Sequence, residues 1–452
     1  MQGLQDLTTG SVPQKLVRFA LPLLLANLLQ SLYSVADMLV VGHIVGEAGL
    51  AAVSNASMIG FVVNSLCIGF TMGGAVLIGQ YRGAKDEKGQ AGAVLALLLL
   101  SLLAALLITA IGLWAYRPLL RSMGVPGAAL KDAQAYMQVL LGGTVFVFGY
   151  NGACSILKGL GDAKSPLLFV AVAATVNVAL DLLLVGPWGL GTAGAAYATV
   201  ISQGISLLFA LWRVRRMGVF TAMRGAPRMV GGRMLRALLK LGLPTAAQMA
   251  VVNLSYLAVT AMLNQFGVAV AAAAGVGLKV NTFAGMPCWA LGQAVTAMAA
   301  QNAGAREMGR LRQTLRTGLC LNLAVTACVA ALVQAFAEPI LALFGPAGPQ
   351  AAREGVLYLR LCCSVNSLVY AAMYTFDSFS IGVGSPQVAM LDALLDAAVL
   401  RLPLCWLLGF SLGYGSGGVY LGQALSPLLP AAVGLAYCRA GRWRKRVEAA
   451  LP

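Results

Sequence analysis

Four oxygen-bearing side chains lie inside apolar stretches of this sequence and could together bind a cation. Asp37 stands within the segment YSVADMLVVG, Asn177 and Asp181 share another apolar segment, and Thr199 lies in the next one. Residues four apart lie on one face of a helix, so Asn177 and Asp181 point in the same direction. Carboxylate, amide and hydroxyl oxygens suit a hard cation such as Na⁺, and two neighbouring carboxylates equally suit one stored proton. We therefore predict that these four residues form a cation-coupling site for H⁺ or Na⁺.

The elements that must position these side chains are membrane helices. Hydrophobic residues make up 59% of the 452 residues and charged residues only 10%. A hydrocarbon core about 30 Å thick requires about 20 apolar residues per helix. Twelve segments meet this requirement, so we predict an all-α polytopic membrane protein with twelve transmembrane helices. The segments run near 16–43, 49–81, 91–115, 134–158, 166–187, 191–214, 236–264, 270–302, 315–345, 356–381, 387–411 and 417–438.

The distribution of basic residues predicts how these helices are oriented. The formal net charge of +16 would suggest nucleic acid as a partner of a soluble protein, but here the Lys and Arg residues fall in alternate short loops. With the N-terminus inside, 24 of the 31 basic residues lie on the cytoplasmic side, as the positive-inside rule requires. We predict a multi-pass protein of the plasma membrane, with both termini cytoplasmic and no nucleic-acid partner. Five basic residues lie on the opposite side and two within apolar segments, namely Arg117, Arg121, Lys131, Arg353 and Arg360, and Lys279 and Arg401.

This orientation places the candidate site in the outer half of the membrane. At 1.5 Å per residue, Asp181 lies about 22 Å above the cytoplasmic start of its helix near Pro166. Thr199 lies about 12 Å below the outer start of its helix near Gly191. Asp37 comes late in a helix that runs from inside to outside. A buried polar cluster that only fixes helix packing is the alternative, although a charge within the membrane costs at least about 2.5–3.5 kcal/mol.

The chain resembles itself at an offset of about 222 residues. The stretch LVRFALPLLLANLLQSLYSVADMLVVG is echoed by LLKLGLPTAAQMAVVNLSYLAVTAMLN, with Pro22 opposite Pro244. Because the duplicated unit has six helices, both copies enter the membrane from the same side, as parallel repeats about an axis along the membrane normal. We predict an N-terminal lobe over 1–215 and a C-terminal lobe over 236–452, joined by a basic cytoplasmic linker over 216–235.

The second copy lacks all four candidate ligands. At the matching positions it carries Val259, Ala397, Arg401 and Gly422. We therefore expect cation coupling in the N-terminal lobe only.

Other ionisable residues stand within the apolar segments. Lys279, Asp396 and Arg401 are candidates for lining a cavity. Asp396 and Arg401 are five residues apart, which does not place them directly on one face of an α-helix, so an ion pair between them requires a distorted helix or a third group. Asp377 and Asp392 lie close to cytoplasmic helix ends, and we expect them to be solvated or to cap helices.

The sequence offers little for catalysis. It has one histidine, and no nucleophile–base pair is in view. The stretch GLGDAKS lacks the glycine that must precede Lys164 in a phosphate-binding loop. We predict that the protein is not an enzyme, that it uses no cofactor apart from a coupling ion, and that an ion gradient supplies its energy.

Several stretches resemble the MATE (multidrug and toxic compound extrusion) family of transporters, over nearly the whole chain. The most specific is GSVPQKLVRFALPLLLANLLQSLYSVADMLVVGHIVGEAGLAAVSNAS, followed by GGAVLIGQYRGAKD, KGLGDAKSP and GLGTAGAAYAT. In the prokaryotic DinF-like branch, a first-helix Asp works with an Asn and an Asp of the fifth helix and a Thr of the sixth, and these roles fall on the four candidate residues. The family's first-helix proline, implicated in bending that helix, is matched by Pro22. The acidic residue of the NorM-like pattern is not matched in the seventh helix, where Ser255 stands.

This resemblance implies a secondary active antiporter that exports organic, cationic or amphipathic compounds, drugs among them, in exchange for H⁺ or Na⁺. The alternative is a lipid-linked sugar flippase of the same superfamily, which should show a more cationic central cavity and often extra helices. The expected partners are small-molecule substrates and membrane lipid, and we expect a monomer.

Overall fold

Long helices form nearly all of the structure. The computed structural model describes residues 4–122, 127–218, 231–344 and 348–448, and these ranges contain no β-strand. The apolar runs fold as helices because a helix satisfies every backbone N–H and C=O internally, as lipid requires. Ten helices of the described residues are long and apolar enough to cross a membrane, and two bent helix pairs, each counted as one span, bring the number to twelve. The predicted all-α polytopic architecture is confirmed.

The helices follow the predicted apolar segments closely. In the first half of the chain they are α1 (Val12–Ile44), α2 (Glu47–Gly83), α3 (Glu87–Ser122), α4 (Gly127–Gly142), α5 (Thr144–Leu160), α6 (Lys164–Val185) and α7 (Gly191–Arg216). In the second half they are α8 (Gly232–Asn264), α9 (Val268–Gly304), α10 (Met308–Ala335), α11 (Ala337–Ala342), α12 (Pro349–Cys362), α13 (Val365–Gly382), α14 (Pro386–Leu394), α15 (Leu402–Trp406), α16 (Gly415–Leu425), α17 (Leu428–Ala440) and α18 (Arg442–Glu448). Most of the predicted linker 216–235, with Arg224 and Arg228, lies outside the described residues.

The internal repeat is visible in the backbone conformation, as it is in the sequence. Lys85 and Arg306, which occupy matching positions of the two copies, both have a left-handed backbone with φ of 58°. Gly46 and Gly267, also matching, precede α2 and α9 with φ of 87° and 104°. A left-handed conformation costs a non-glycine residue roughly 1–2 kcal/mol, so its occurrence at matching positions reflects one turn geometry that was duplicated.

Two predicted spans are split into bent pairs. The segment 134–158 is divided at Gly143 into α4 and α5, which meet at 48°, and the segment 356–381 is divided into α12 and α13, which meet at 47°. Each of these two predicted spans is therefore a pair of helices with a bend between them.

Side chains of neighbouring helices satisfy the carbonyl groups near both bends. Thr109 of α3 donates its hydroxyl to the carbonyl of Leu141 at 3.1 Å. Gln334 of α10 donates its amide to the carbonyls of Leu359 and Cys363 at 3.0 and 2.8 Å. A kink inside lipid is tolerated where such groups replace the lost helical hydrogen bonds.

Two π-helical turns interrupt the eleventh span. They are π1 (Leu395–Arg401) and π2 (Leu407–Ser411). A π-turn joins each N–H to the carbonyl five residues earlier, so residues five apart face the same way.

The chain forms two compact units that divide within helices. One unit consists of Met1–Asp6 and Leu25–Ala246, and the other of Leu7–Leu24 and Ala247–Pro452. The chain passes from one unit to the other inside α1 and inside α8, in each case two residues after a proline, Pro22 and Pro244. A proline within a helix has no N–H to donate and weakens the helix at that turn.

Candidate functional site

Three helices of the first unit bring the predicted cation ligands together. Asp37 lies on α1, Asn177 and Asp181 on α6, and Thr199 on α7. α6 and α7 pack against each other along their length and are joined by a short turn, with positive φ at Gly189 and Gly191. In this hairpin the amide of Asn177 donates to the hydroxyl of Thr199 at 3.4 Å.

The ligands are withdrawn from solvent. Asp181 is 0% exposed, Asn177 1% and Asp37 9%, whereas Thr199 is half-buried. The side chains of Asp37 and Asp181 lie close enough for their carboxyl groups to interact electrostatically. All four predicted ligands therefore meet in one small region of the first unit.

The oxygens of this cluster lack donors. Both carboxylate oxygens of Asp181, one of Asp37 and the amide oxygen of Asn177 receive no hydrogen bond from the described residues. Buried polar atoms are almost always hydrogen-bonded, and each exception needs an explanation. Two carboxylates this close cannot both carry a full charge at low cost, so the cluster is suited to one positive charge, whether a proton or Na⁺.

Tyrosine side chains, which the sequence did not predict, also lie near this cluster. Tyr136 of α4 is 5% exposed and lies near both Asp37 and Asp181. Tyr33, one turn before Asp37 on α1, also lies close to that carboxylate. No sequence spacing relates Tyr136 to the aspartates, because its position depends on how α4 packs.

Pro22, predicted to bend the first helix, is buried within α1. It lies 15 residues before Asp37, on a helix that is continuous from Val12 to Ile44. A change in the packing of α1 around Asp37 therefore acts on a helix that contains a weak turn.

In the second unit, a π-turn supplies the helix distortion that an ion pair between Asp396 and Arg401 requires. Both residues lie in π1, where their five-residue spacing puts them on one face, and the Arg401 guanidinium forms an ion pair with the Asp396 carboxylate. Arg401 is 1% exposed, donates to the Ser255 hydroxyl at 2.8 Å and stacks over the Tyr256 ring at 4.3 Å from its centroid. The guanidinium is therefore neutralised and held in place.

Arg401 also reaches a cleft in the second unit, with about 730 Å³ of empty space, part of it open. Aromatic and amide side chains line it, among them Tyr256, Trp289, Tyr370 and Asn366. The Trp289 indole N–H donates to the Tyr370 hydroxyl at 3.2 Å. Asp396, the partner of Arg401, is buried beside the cleft, whereas Lys279 is exposed on α9 and is not among the residues that line it.

The expectation for Asp377 and Asp392 is wrong. We predicted solvated or capping side chains near helix ends, but the two residues are 3% and 0% exposed. Counting residues along the helix placed them near its ends, whereas packing of neighbouring helices, among them α8 and α17, buries these positions.

Comparison with known proteins shows which proteins share this arrangement of helices. The MatE family model matches the chain twice, over residues 22–183 and 244–407, in agreement with the predicted internal repeat. The probable multidrug resistance protein YpnP of Bacillus subtilis strain 168 is 30% identical over 439 residues, which are 97% of this chain and 97% of YpnP. The probable multidrug resistance protein YoeA of the same strain is 34% identical over 348 residues, 75% of each chain.

Solved structures share the fold. A crystal structure of MATE in the straight conformation matches with a TM-score of 0.89 and 24% identity, over 99% of this chain and 99% of that chain. A crystal structure of MATE in the bent conformation matches with a TM-score of 0.88 and 23% identity, over 98% and 97%. The architecture of two six-helix repeats is thus one that has been observed in other chains.

Proposed function

Because the chain belongs to the MatE family of membrane transporters, we propose that it is a secondary antiporter that exports organic, cationic or amphipathic compounds in exchange for H⁺ or Na⁺. The observation that carries the proposal is the buried pair of Asp37 and Asp181, with Asn177 and Thr199 beside it. The relatives named as multidrug resistance proteins support drugs as the exported class.

The carboxyl pair couples a cation to the position of α1. While the pair holds one H⁺ or Na⁺, Asp37 and Asp181 attract each other through that charge, and α1 packs against α6. When the cation leaves, the two carboxylates repel each other, and Asp37 moves α1 away from α6. Because α1 contains Pro22, this movement is taken up as a bend of the helix.

The bend changes which side of the membrane the substrate reaches. α1 and α8 are the two helices in which the chain passes between the compact units, and each has a proline just before the passage. A cation and a substrate can shift the balance between inward- and outward-facing states only by their differential affinities for those states. Antiport follows if the cation-loaded site favours the state that releases substrate outside.

The cleft of the second unit supports an amphipathic, cationic substrate. Its tryptophan and tyrosine rings present faces that attract organic cations, by about 0.5–2 kcal/mol for each contact. The Asp396 carboxylate neutralises Arg401, so the guanidinium does not exclude a cation from the cleft. Amide groups such as that of Asn366 supply the few polar contacts that fix a ligand's orientation.

The proposed transporter has two lobes and a cytoplasmic linker. Lobes over 1–215 and 236–452 carry one repeat each, and the basic linker 216–235 lies in the cytoplasm together with both termini. The protein works in the plasma membrane as a monomer.

Reconstitution into proteoliposomes tests antiport directly. An outward gradient of H⁺ or of Na⁺, imposed separately, should drive uptake of a fluorescent organic cation, and the gradient that works identifies the coupling ion. Asp181→Asn and Asn177→Ala should abolish the driven uptake in folded protein. Asp132→Asn, the same chemical change at a half-buried position on α4 outside the cluster, should leave it unchanged. If neither gradient drives uptake by the wild-type protein, the antiport proposal fails.

A further inference from the structure

A second pair of buried carboxyl groups lies in the second unit. Asp377 of α13 and Asp392 of α14 lie on two helices that pack together as a hairpin, close enough for their carboxyl groups to interact electrostatically. They are 3% and 0% exposed. Neither residue belongs to the site of the first unit or to the ion pair of π1.

A third polar side chain points at this pair. Gln248 of α8 is 6% exposed, and its amide nitrogen donates to one oxygen of Asp377 at 3.5 Å. Its amide oxygen receives no hydrogen bond from the described residues, nor do the other oxygen of Asp377 and both oxygens of Asp392. Four buried acceptor oxygens of these three neighbouring residues thus lack a donor among the residues that the structure describes.

We propose that Asp377, Asp392 and Gln248 bind one monovalent cation, H⁺ or Na⁺, as a second coupling site of the transporter. A single positive charge stabilises two neighbouring carboxylates, because both cannot be ionised together at low cost. The amide oxygen of Gln248 adds a neutral ligand of the kind that hard cations accept. The second site rests on the antiport function proposed above and adds a second coupling ion to it.

The groups around the pair leave its charge uncompensated. The titratable and charged side chains that face it are Tyr374 of α13, Asp396 of π1 and Cys438 of α17. Asp396 is already paired with Arg401, and Arg446 of α18 donates to the carbonyl of Gly384 at 3.2 Å. A cation taken from solution can therefore neutralise the charge of the pair, which these side chains do not neutralise.

The position of this second pair complements that of the first. Asp377 and Asp392 lie about 8 and 9 Å along their helices from the connection between α13 and α14, which we predict to be cytoplasmic. The first half of the chain carries Ala26, Ile156 and Val172 at the matching positions. Each copy of the repeat thus has its own cluster, in the outer half of the membrane in one copy and in the inner half in the other.

Carbodiimide labelling tests binding without transport. Dicyclohexylcarbodiimide modifies protonated carboxyl groups in apolar surroundings, and mass spectrometry locates the modified residue. In detergent-solubilised Asp37→Asn/Asp181→Asn protein, from which the first pair is removed, we expect labelling of Asp377 or Asp392. The labelling should decrease as the pH rises if the site binds H⁺, and Na⁺ should suppress it if the site binds Na⁺. Absence of labelling, or labelling that neither pH nor Na⁺ changes, would overturn the second site while leaving the antiport proposal untouched.

The transport stoichiometry gives an independent test. The number of cations exchanged per substrate, measured from the reversal potential in proteoliposomes, should fall by one in Asp392→Asn, with driven uptake retained. Gln248→Leu keeps both carboxyl groups and should weaken Na⁺ protection of the labelling or shift its pH dependence. Asp132→Asn serves as the matched control. An unchanged stoichiometry in folded Asp392→Asn protein would contradict the proposal, whereas failure of antiport itself would show as no driven uptake in the wild type.

Discussion

Replacing Asp37 with asparagine should separate substrate binding from ion coupling. Asn has nearly the shape of a protonated carboxyl group but can neither release a proton nor attract Na⁺ with a charge. The variant therefore remains in the arrangement of α1 that the cation-loaded site favours. We expect Asp37→Asn to bind substrate and to lose gradient-driven transport.

The size of the effect follows from the separation of the two carboxyl groups. For two unit charges about 4 Å apart in surroundings with an effective dielectric constant of about 20, the interaction energy is about 4 kcal/mol. A cation bound between Asp37 and Asp181 removes this repulsion, and Asp37→Asn removes it permanently. Since each 1.4 kcal/mol is a factor of ten, the cation affinity of the site should fall by roughly a thousandfold.

Two measurements on one preparation test this reasoning. The purified variant should still bind substrate, and proton- or Na⁺-driven uptake into inverted membrane vesicles should be absent. A side chain that served only helix packing would instead lower the thermal stability and leave coupling intact. Driven uptake at the wild-type rate by folded Asp37→Asn protein would refute the role of Asp37.

The remaining predictions concern stability and topology. Arg401→Met should leave the Asp396 carboxylate buried without its partner and destabilise the protein by about 3–5 kcal/mol, and adding Asp396→Asn should recover part of the loss in thermal unfolding. If Arg401→Met were as stable as the wild type, the ion pair would contribute nothing to the stability of the fold. Gln334→Ala should remove the amide donor from the Cys363 carbonyl at the bend between α12 and α13, at a cost of about 1–3 kcal/mol, and an unchanged melting temperature would contradict that expectation. In a background without the native cysteines, an impermeant thiol reagent added outside should label Gln265→Cys but not Arg442→Cys, and the reverse pattern would invert the predicted orientation.

The architecture and the first site were predictable because both depend on local regularities. Apolar runs of sufficient length must be helical in lipid, where the backbone has no other hydrogen-bond partner. The four-residue spacing of Asn177 and Asp181 puts them on one helix face, and the short connection to the next helix brings Thr199 near them. Asp37 was placed in the same half of the membrane because it comes late in a helix that runs from inside to outside.

The bends and the π-turn were not predictable from local patterns. The hydroxyl of Thr109, on another helix, satisfies the Leu141 carbonyl next to the break at Gly143, and no pattern within the broken segment specifies that contact. The extra residue in π1 brings Asp396 and Arg401 onto one face, and this depends on the hydroxyl of Ser255 and the ring of Tyr256 being there to hold the guanidinium.

The sequence by itself determined the membrane helices, their duplication and the composition of the first carboxyl site, since length, hydropathy and helical period are properties of neighbouring residues. Only the tertiary structure decided that Asp377 and Asp392 are buried with Gln248 rather than solvated, and that Tyr136 faces the first site. These contacts join residues on different helices, and 129 positions separate Gln248 from Asp377. Burial of a polar group is decided by the helix that packs over it, and no helical period within one segment specifies which helix that will be.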